Sequence, residues 1–257
     1  MKLVTFNING IRARLPRLIE YLQREQPDIA CLQELKCADD ALPIGEIEAL
    51  GYHAVWHGQK GFNGVAILAK DEAPVLRQVG LPGDPHDTHS RYIEAEAKGL
   101  IVASIYLPNG NPIGTEKFDY KLRWMERLRD RAGTILTEER PAVLAGDYNV
   151  IPEDRDTFSR RAMAGDALFQ PESQAAFRRI VLQGWTDALR AIKPAEDRLY
   201  TFWDYQAGAW ARDAGFRIDH LLCSPQTADR LRGAEVHKWA RAEEKASDHA
   251  PVAIELA

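Results

Sequence analysis

The sequence predicts an α/β fold. Apolar segments of strand length recur from one end of the chain to the other, and longer amphipathic stretches of helical period lie among them. No internal repeat, low-complexity tract or linker rich in proline, glycine or serine breaks up the 257 residues. That length suffices for one large core, so one domain over residues 1–257 is expected.

Alternation and β-branched content place strands at Leu3–Ile8, Asp28–Gln33, Ala54–His57, Gly64–Ala69, Tyr92–Ala97, Leu100–Leu107 and Ala142–Ala145. Four more are expected toward the C-terminus, at Leu199–Tyr205, Ile218–Cys223, Ala234–Trp239 and Val252–Leu256. A helix over Leu15–Arg24 sets Leu15, Leu18, Ile19 and Leu22 on one stripe and stops before Pro27. A second, Lys117–Leu136, aligns Phe118, Leu122, Met125 and Leu128, and a third covers Gln174–Leu182 ahead of Gly184.

Composition excludes several classes of protein. The chain is 45% hydrophobic and 28% charged, and no apolar run approaches the roughly 20 residues of a membrane span, so a soluble protein without a membrane partner is expected. The opening "MKLVTFNING" has too few apolar residues before Asn7 for a secretory signal, which favours a cytoplasmic location. Cys31, Cys37 and Cys223 form no CxxC spacing and read as small buried apolar groups. A net charge of −5 argues against a uniformly basic surface but leaves room for a local basic patch. The arginine runs at 12–17, 123–131 and 178–179 fit solvated helix faces. No HExxH, P-loop or GxSxG spacing supports a zinc peptidase, a nucleoside triphosphatase or a serine hydrolase.

Polar clusters follow the strands: "FNING", "QELK", "YLPNG", "GDYNV", "RIDH" and "SDHAP". Reactive groups often sit at strand ends, so the recurrence points to one rim where these ends meet. Glu34 closes "IACLQE" and reads either as an exposed strand end or as a ligand for a hard cation. Asn7 and Asn9 fit a turn, yet amide carbonyls also suit Mg²⁺ or Mn²⁺. Asp147 and Asn149, two apart after Gly146, are either an Asx turn or a pair facing one side. Asp219 lies in an apolar run and needs a buried partner, which His249 can supply, leaving Asp248 to face a metal. Tyr106 and Asn109 add a phenol and an amide. "DPHDTHS", with His86 and His89, reads as a turn-rich loop rather than a metal site, and His53 and His57 as strand residues.

Taken in order, "FNINGIRAR", "CLQELK", "GQKGFNGVAIL", "YLPNG", "GDYNV", "YTFWDY", "FRIDHLL" and "SDHAPV" resemble the exonuclease III type of apurinic/apyrimidinic endonuclease, in the endonuclease/exonuclease/phosphatase superfamily. The resemblance spans nearly the whole chain. It implies a four-layer α/β sandwich, with two central mixed sheets packed face to face and helices outside. It also implies that Glu34 binds Mg²⁺ or Mn²⁺ with Asn7 and Asp248 nearby, and that Asp147 and Asn149 orient or deprotonate the attacking water. His249, paired with Asp219, would donate to the scissile phosphate, while Tyr106 and Asn109 stabilise its developing charge. A second ion position beside Asp147, Asn149 and His249 is compatible with the same residues, and the choice of Asp147 or His249 as base stays open.

For the substrate, the aromatics Phe202, Trp203, Trp210 and Phe216 crowd one stretch with Arg212 and Arg217, which fits either a core strand with an aromatic turn or a base-excluding slot. By resemblance, Phe202, Phe216 and Ile218 wall a slot for a flipped-out abasic sugar, with Trp203 counted among the DNA contacts. Arg12, Lys36, Lys60 and Asn63 would hold backbone phosphates. The implied protein is a monomeric repair nuclease that cuts duplex DNA 5′ to abasic sites and trims 3′ ends. The alternatives are a phosphoesterase of the same fold acting on RNA or a small phosphate ester, and a catalytically silent DNA-binding module.

Overall fold

Strands at the centre of this protein read as nearly unbroken runs of Val, Ile, Leu and Ala because both of their faces are covered. The structure, a computed structural model, describes residues 1–257. Its strands are β1 (Lys2–Asn7), β2 (Ile29–Gln33), β3 (Tyr52–His57), β4 (Val65–Lys70), β5 (Val75–Val79), β6 (Tyr92–Ala97), β7 (Leu100–Tyr106), β8 (Ala142–Asp147), β9 (Thr186–Asp187), β10 (Asp219–Cys223), β11 (Leu231–Val236) and β12 (Val252–Leu256). They form two six-stranded sheets, ordered β11-β12-β1-β2-β4-β3 and β5-β6-β7-β8-β10-β9. Both are mixed: β1 runs parallel to β2 and β7 parallel to β8, and the other pairings are antiparallel.

Period-two alternation sorts each central strand between two cores. Leu3, Ile29, Cys31, Val65 and Ile67 of the first sheet meet Ile93, Val102, Val143, Ala145 and Leu221 of the second in one inter-sheet core. The alternate residues Val4, Phe6, Ala30, Leu32 and Leu68 pack outward on Ile11, Leu18, Tyr21 and Leu22 of the helix Ile11–Glu25. Across the molecule, Ile101, Ala103, Ile105 and Leu144 pack on Trp124, Met125 and Leu128 of the helix Glu116–Leu136, and on Phe177 and Ile180 of the helix Pro171–Val181. Helix, sheet, sheet, helix is the resulting layering, as expected.

A buried polar clip sets the two sheets against each other. Thr5 Oγ1 donates to Gln33 Oε1 at 3.2 Å, Gln33 Nε2 donates to Ser104 Oγ at 3.0 Å, and Ser104 Oγ donates to the Leu32 carbonyl at 2.9 Å. A sideways slip of one sheet would strand these groups without water, at a cost of roughly 1–3 kcal/mol each.

Two local expectations are corrected. Leu199–Tyr205 forms no strand; Phe202 makes only isolated bridges, to Phe216 and to His249, because the segment crosses between the sheets. Ala234–Trp239 is displaced: the strand covers Leu231–Val236, and a short helix takes Lys238–Ala242. β5 gave too weak an apolar alternation to be read, being an edge strand with Val75, Leu76 and Val79 exposed. The three cysteines are free and buried.

In the parallel pairing of β7 and β8, Ile105 lies opposite Gly146. A Cβ at Gly146 would sit 2.1 Å from the Ile105 carbonyl oxygen, so only glycine lets the strands approach. Gly146→Ala is expected to destabilise the chain by roughly 1–3 kcal/mol or more, read as a lowered urea midpoint with unchanged slope.

Candidate active site

Strand register brings the polar clusters together. In the second sheet Asp147 lies opposite Tyr106 on one side and Asp219 on the other. In the first sheet Asn7 pairs with Gln33, so Glu34 follows directly at the same edge. The segment before β12 crosses to that edge and is fastened there: Ser247 Oγ donates to the Asn7 carbonyl at 2.7 Å, and Trp203 N donates to the Asp248 carbonyl at 2.9 Å. All six clusters therefore meet on one rim.

The backbone at this rim is held in a region that side chains disfavour. Glu34, Lys36, Asn9, Asn63 and Asn149 have φ of 53°, 53°, 49°, 47° and 47°. Their neighbours enforce it: Gly10 N donates to the Glu34 carbonyl at 2.7 Å, Leu35 N to Gly64 at 3.1 Å, and Lys36 N to Asn63 at 2.9 Å. Such outliers persist only where surroundings over-determine them, and they gather at functional sites.

Asn7 stands at the centre. Its Nδ2 donates to Glu34 Oε1 and to Asp147 Oδ2, both at 2.9 Å, while its Oδ1 accepts from Asn9 N at 3.0 Å. The amide thus shows its nitrogen, not its oxygen, to the carboxylates. Asp248 Oδ1 accepts from Asn9 Nδ2 at 2.9 Å, and its carboxylate lies outside the Glu34, Asp147 and His249 cluster. Lys36 Nζ sits 2.7 Å from Glu34 Oε2. Burial works against the Glu34 charge, but Lys36 and Asn7 hold its carboxyl below the ordinary range.

His249 Nδ1 lies 2.9 Å from Asp219 Oδ2, which also accepts from Thr201 Oγ1 at 2.6 Å. This contact turns Nε2 toward Asp147 Oδ2, 3.7 Å away. Burial disfavours the imidazolium, yet the Asp219 carboxylate overrides it and the His249 pKa is pushed up to about 10. Asp147 is raised by burial and by Asp219 and Glu34, against the pull of His249. Burial next to Glu34 and Asp147 also keeps the Tyr106 phenol protonated.

One carboxylate oxygen each from Glu34 and Asp147 and a ring nitrogen of His249 lie within 4.8 Å of one another. Two hard oxygen donors and an imidazole, with Asp219 Oδ1 buried beside them without a hydrogen-bond partner, make a set that fits a small divalent cation. Asn149 N donates to Asp147 Oδ1 at 2.9 Å, so the Asx turn forms and leaves Oδ2 to the cluster. Asn149 Nδ2 donates to the Leu107 carbonyl at 2.9 Å and its Oδ1 accepts from Asn109 at 3.2 Å.

An aromatic pair lies against the imidazole. Phe202 packs edge-on to His249 with ring centroids 5.0 Å apart, and on Phe216 at 4.7 Å. Ile218 is buried beneath them with Ile151, Met163 and Leu168. Trp203 is not at the surface: it is fully buried, donates to Asp213 at 3.0 Å, and so is corrected from DNA contact to support. Arg217 is buried too, spent on Asp156 at 2.8 and 3.0 Å and on Asp187 at 2.7 Å, and Arg190 adds a bond to Asp156 at 2.7 Å. Arg12, Lys60 and Asn109 are exposed, whereas Asn63 is buried and bonded to Gln59. In "DPHDTHS", Asp87 is taken by Arg127 at 2.7 Å and Tyr120 at 2.9 Å.

Arg91 and Thr201 stand beside the site without any sequence signal for it. Arg91 lies over the Tyr106 ring at 4.8 Å. Nothing local in the sequence marks Arg91 or Thr201, since their partners are distant in the chain.

The sequence pattern of the Endonuclease/Exonuclease/phosphatase family matches residues 4–249. This chain belongs to that family. Over its whole length it is 36% identical to the exodeoxyribonuclease III of Haemophilus influenzae, all of which is covered. An AP endonuclease from Archaeoglobus fulgidus superposes with a TM-score of 0.95 at 38% identity, covering 100% of this chain and 99% of that one. A Neisseria 3′ phosphatase, NExo, seen with a product DNA hairpin, superposes at 0.96 with 36% identity and the same coverage.

The elevated His249 pKa yields a prediction for the metal-free protein. Its ring resonances should titrate near pH 10, and Asp219→Asn should bring the midpoint down toward the ordinary value of about 6.5, as checked by NMR. The stabilisation from this pair is complete below about pH 6.5 and is lost as pH rises through the folded value of about 10.

Proposed function

We infer that this chain is a divalent-metal-dependent nuclease that hydrolyses DNA phosphodiesters 5′ to abasic sites and clears 3′ ends. The observation that carries this is the convergence of Glu34, Asp147 and His249 donors within 4.8 Å, with the Phe202–Phe216 pair directly against the imidazole. Glu34, with Asp147 in reach, would hold Mg²⁺ or Mn²⁺. Such an ion, when bound, polarises a phosphoryl oxygen as a Lewis acid.

The protein groups divide the remaining work. Asp147 Oδ2 is the base that orients and deprotonates the attacking water. His249, fixed by Asp219, presents Nε2 as donor to a non-bridging phosphate oxygen. The Tyr106 phenol and the second amide proton of Asn149 stabilise the charge that develops there, and Asn109 braces Asn149. Phosphate-ester hydrolysis demands acceleration of roughly 20 kcal/mol, which no one of these groups supplies.

Phe202 and Phe216, backed by the buried Ile218, would form a wall that suits a sugar lacking its base, and a baseless site costs least to extrude from the duplex. Arg12, Lys36 and Lys60 flank the rim and would take backbone phosphates in a monomeric complex, which reconciles DNA binding with a net charge of −5. The names of the relatives, an exodeoxyribonuclease III, an AP endonuclease and a 3′ phosphatase, support this substrate range.

Glu34→Ala and His249→Ala are each expected to lower the rate on an abasic-site duplex by about 10²- to 10⁴-fold without unfolding the chain; full activity in either removes its assigned role. Chelation by EDTA should stop cleavage, with Mg²⁺ or Mn²⁺ restoring it. Equilibrium binding of the same duplex should weaken linearly with log salt concentration, the slope reduced by about one in Lys60→Ala.

A further inference from the structure

Lys121 is fully buried in a protein whose other lysines reach solvent, and the chemistry above does not use it. It projects from the helix Glu116–Leu136 beneath the active rim, where Nζ donates to the Asn149 carbonyl at 2.5 Å and to the Asn109 carbonyl at 3.0 Å. These carbonyls belong to separate loops, one following β8 and the other following β7. The same two residues meet again through Asn109 Nδ2 and Asn149 Oδ1 at 3.2 Å. Gly110 makes room for the lysine stem: a Cβ there would lie 2.6 Å from Lys121 Cδ.

We propose that Lys121 is a positioning residue, which fastens the Asn149 and Asn109 loops together so that the Asn149 amide is held ready for the phosphate. Without this tie, the Asn149 and Asn109 carbonyls lose their donor, and Asn149, at a left-handed φ of 47°, loses a restraint on that conformation. Burial lowers the Lys121 pKa to about 7, against the pull of Asp147 and Asp166. The tie survives loss of the charge, because a neutral amine still carries two N–H donors for two carbonyls. The proposal rests on the nuclease reading of the site and deepens it.

The test is steady-state cleavage of an abasic-site duplex by the full-length chain with Mg²⁺. Lys121→Met keeps the stem and removes the donors. It is expected to lower kcat about 10- to 100-fold while KM changes less than about threefold, as for a misplaced group that acts on the transition state. In an Asn149→Ala background the same substitution should cost less than about threefold, since the group that Lys121 positions is already gone. Lys121→Gln, too short to reach both carbonyls, should show the same split between kcat and KM and carries the test should the methionine variant not fold. Undiminished kcat in a folded variant, or losses that multiply fully with Asn149→Ala, overturns this inference alone. No cleavage by the unsubstituted chain overturns the functional reading and this inference with it.

Discussion

The active rim depends on one amide. Asn7 Nδ2 donates to a carboxylate of each sheet, Glu34 from the end of β2 and Asp147 from the end of β8. Two carboxylates brought this close without a donor between them would repel and desolvate each other. The hydrogens of a single –NH₂ group satisfy both and set the distance across the seam between the sheets. The Thr5–Gln33–Ser104 clip performs the matching task one layer down, so the catalytic spacing is built on a restrained sheet-to-sheet register.

From this seam the rest of the site follows by strand pairing. Asp219 and Tyr106 flank Asp147 because β10 and β7 are the hydrogen-bonded neighbours of β8. His249 arrives from the first sheet and is aimed from the second by Asp219, so its orientation reports on both. The aromatic pair then leans on the imidazole through Phe202.

Much of this was legible in the sequence, and the exceptions have physical reasons. Polar clusters after apolar strands foretold a shared rim, since side chains at strand ends are placed by the sheet rather than by their neighbours. Whether Asn7 shows oxygen or nitrogen to the cluster could not be read, because the answer depends on a carboxylate 140 residues away. Trp203 is more instructive. In an extended segment adjacent side chains point to opposite sides, so Phe202 in the slot already implied Trp203 on the other face. Of the two readings offered for Asp147 and Asn149, the Asx turn forms, and it leaves the other carboxylate oxygen free for the cluster. β5 escaped notice because an edge strand owes little of its stability to the burial pattern that sequence reading detects.

The buried Arg217 and Asp156 pair bears on how such a molecule tolerates change. Asp156 is gripped by Arg217 and Arg190, and a dozen residues later Leu168 is tied to Ile151 through its carbonyl. Between these two moorings Arg160, Arg161, Ala162, Ala164 and Gly165 face solvent while Met163 reaches down into the small core around Ile218. A change of length confined to the exposed residues on either side of Met163 would leave that core, and the aromatic pair above it, in place.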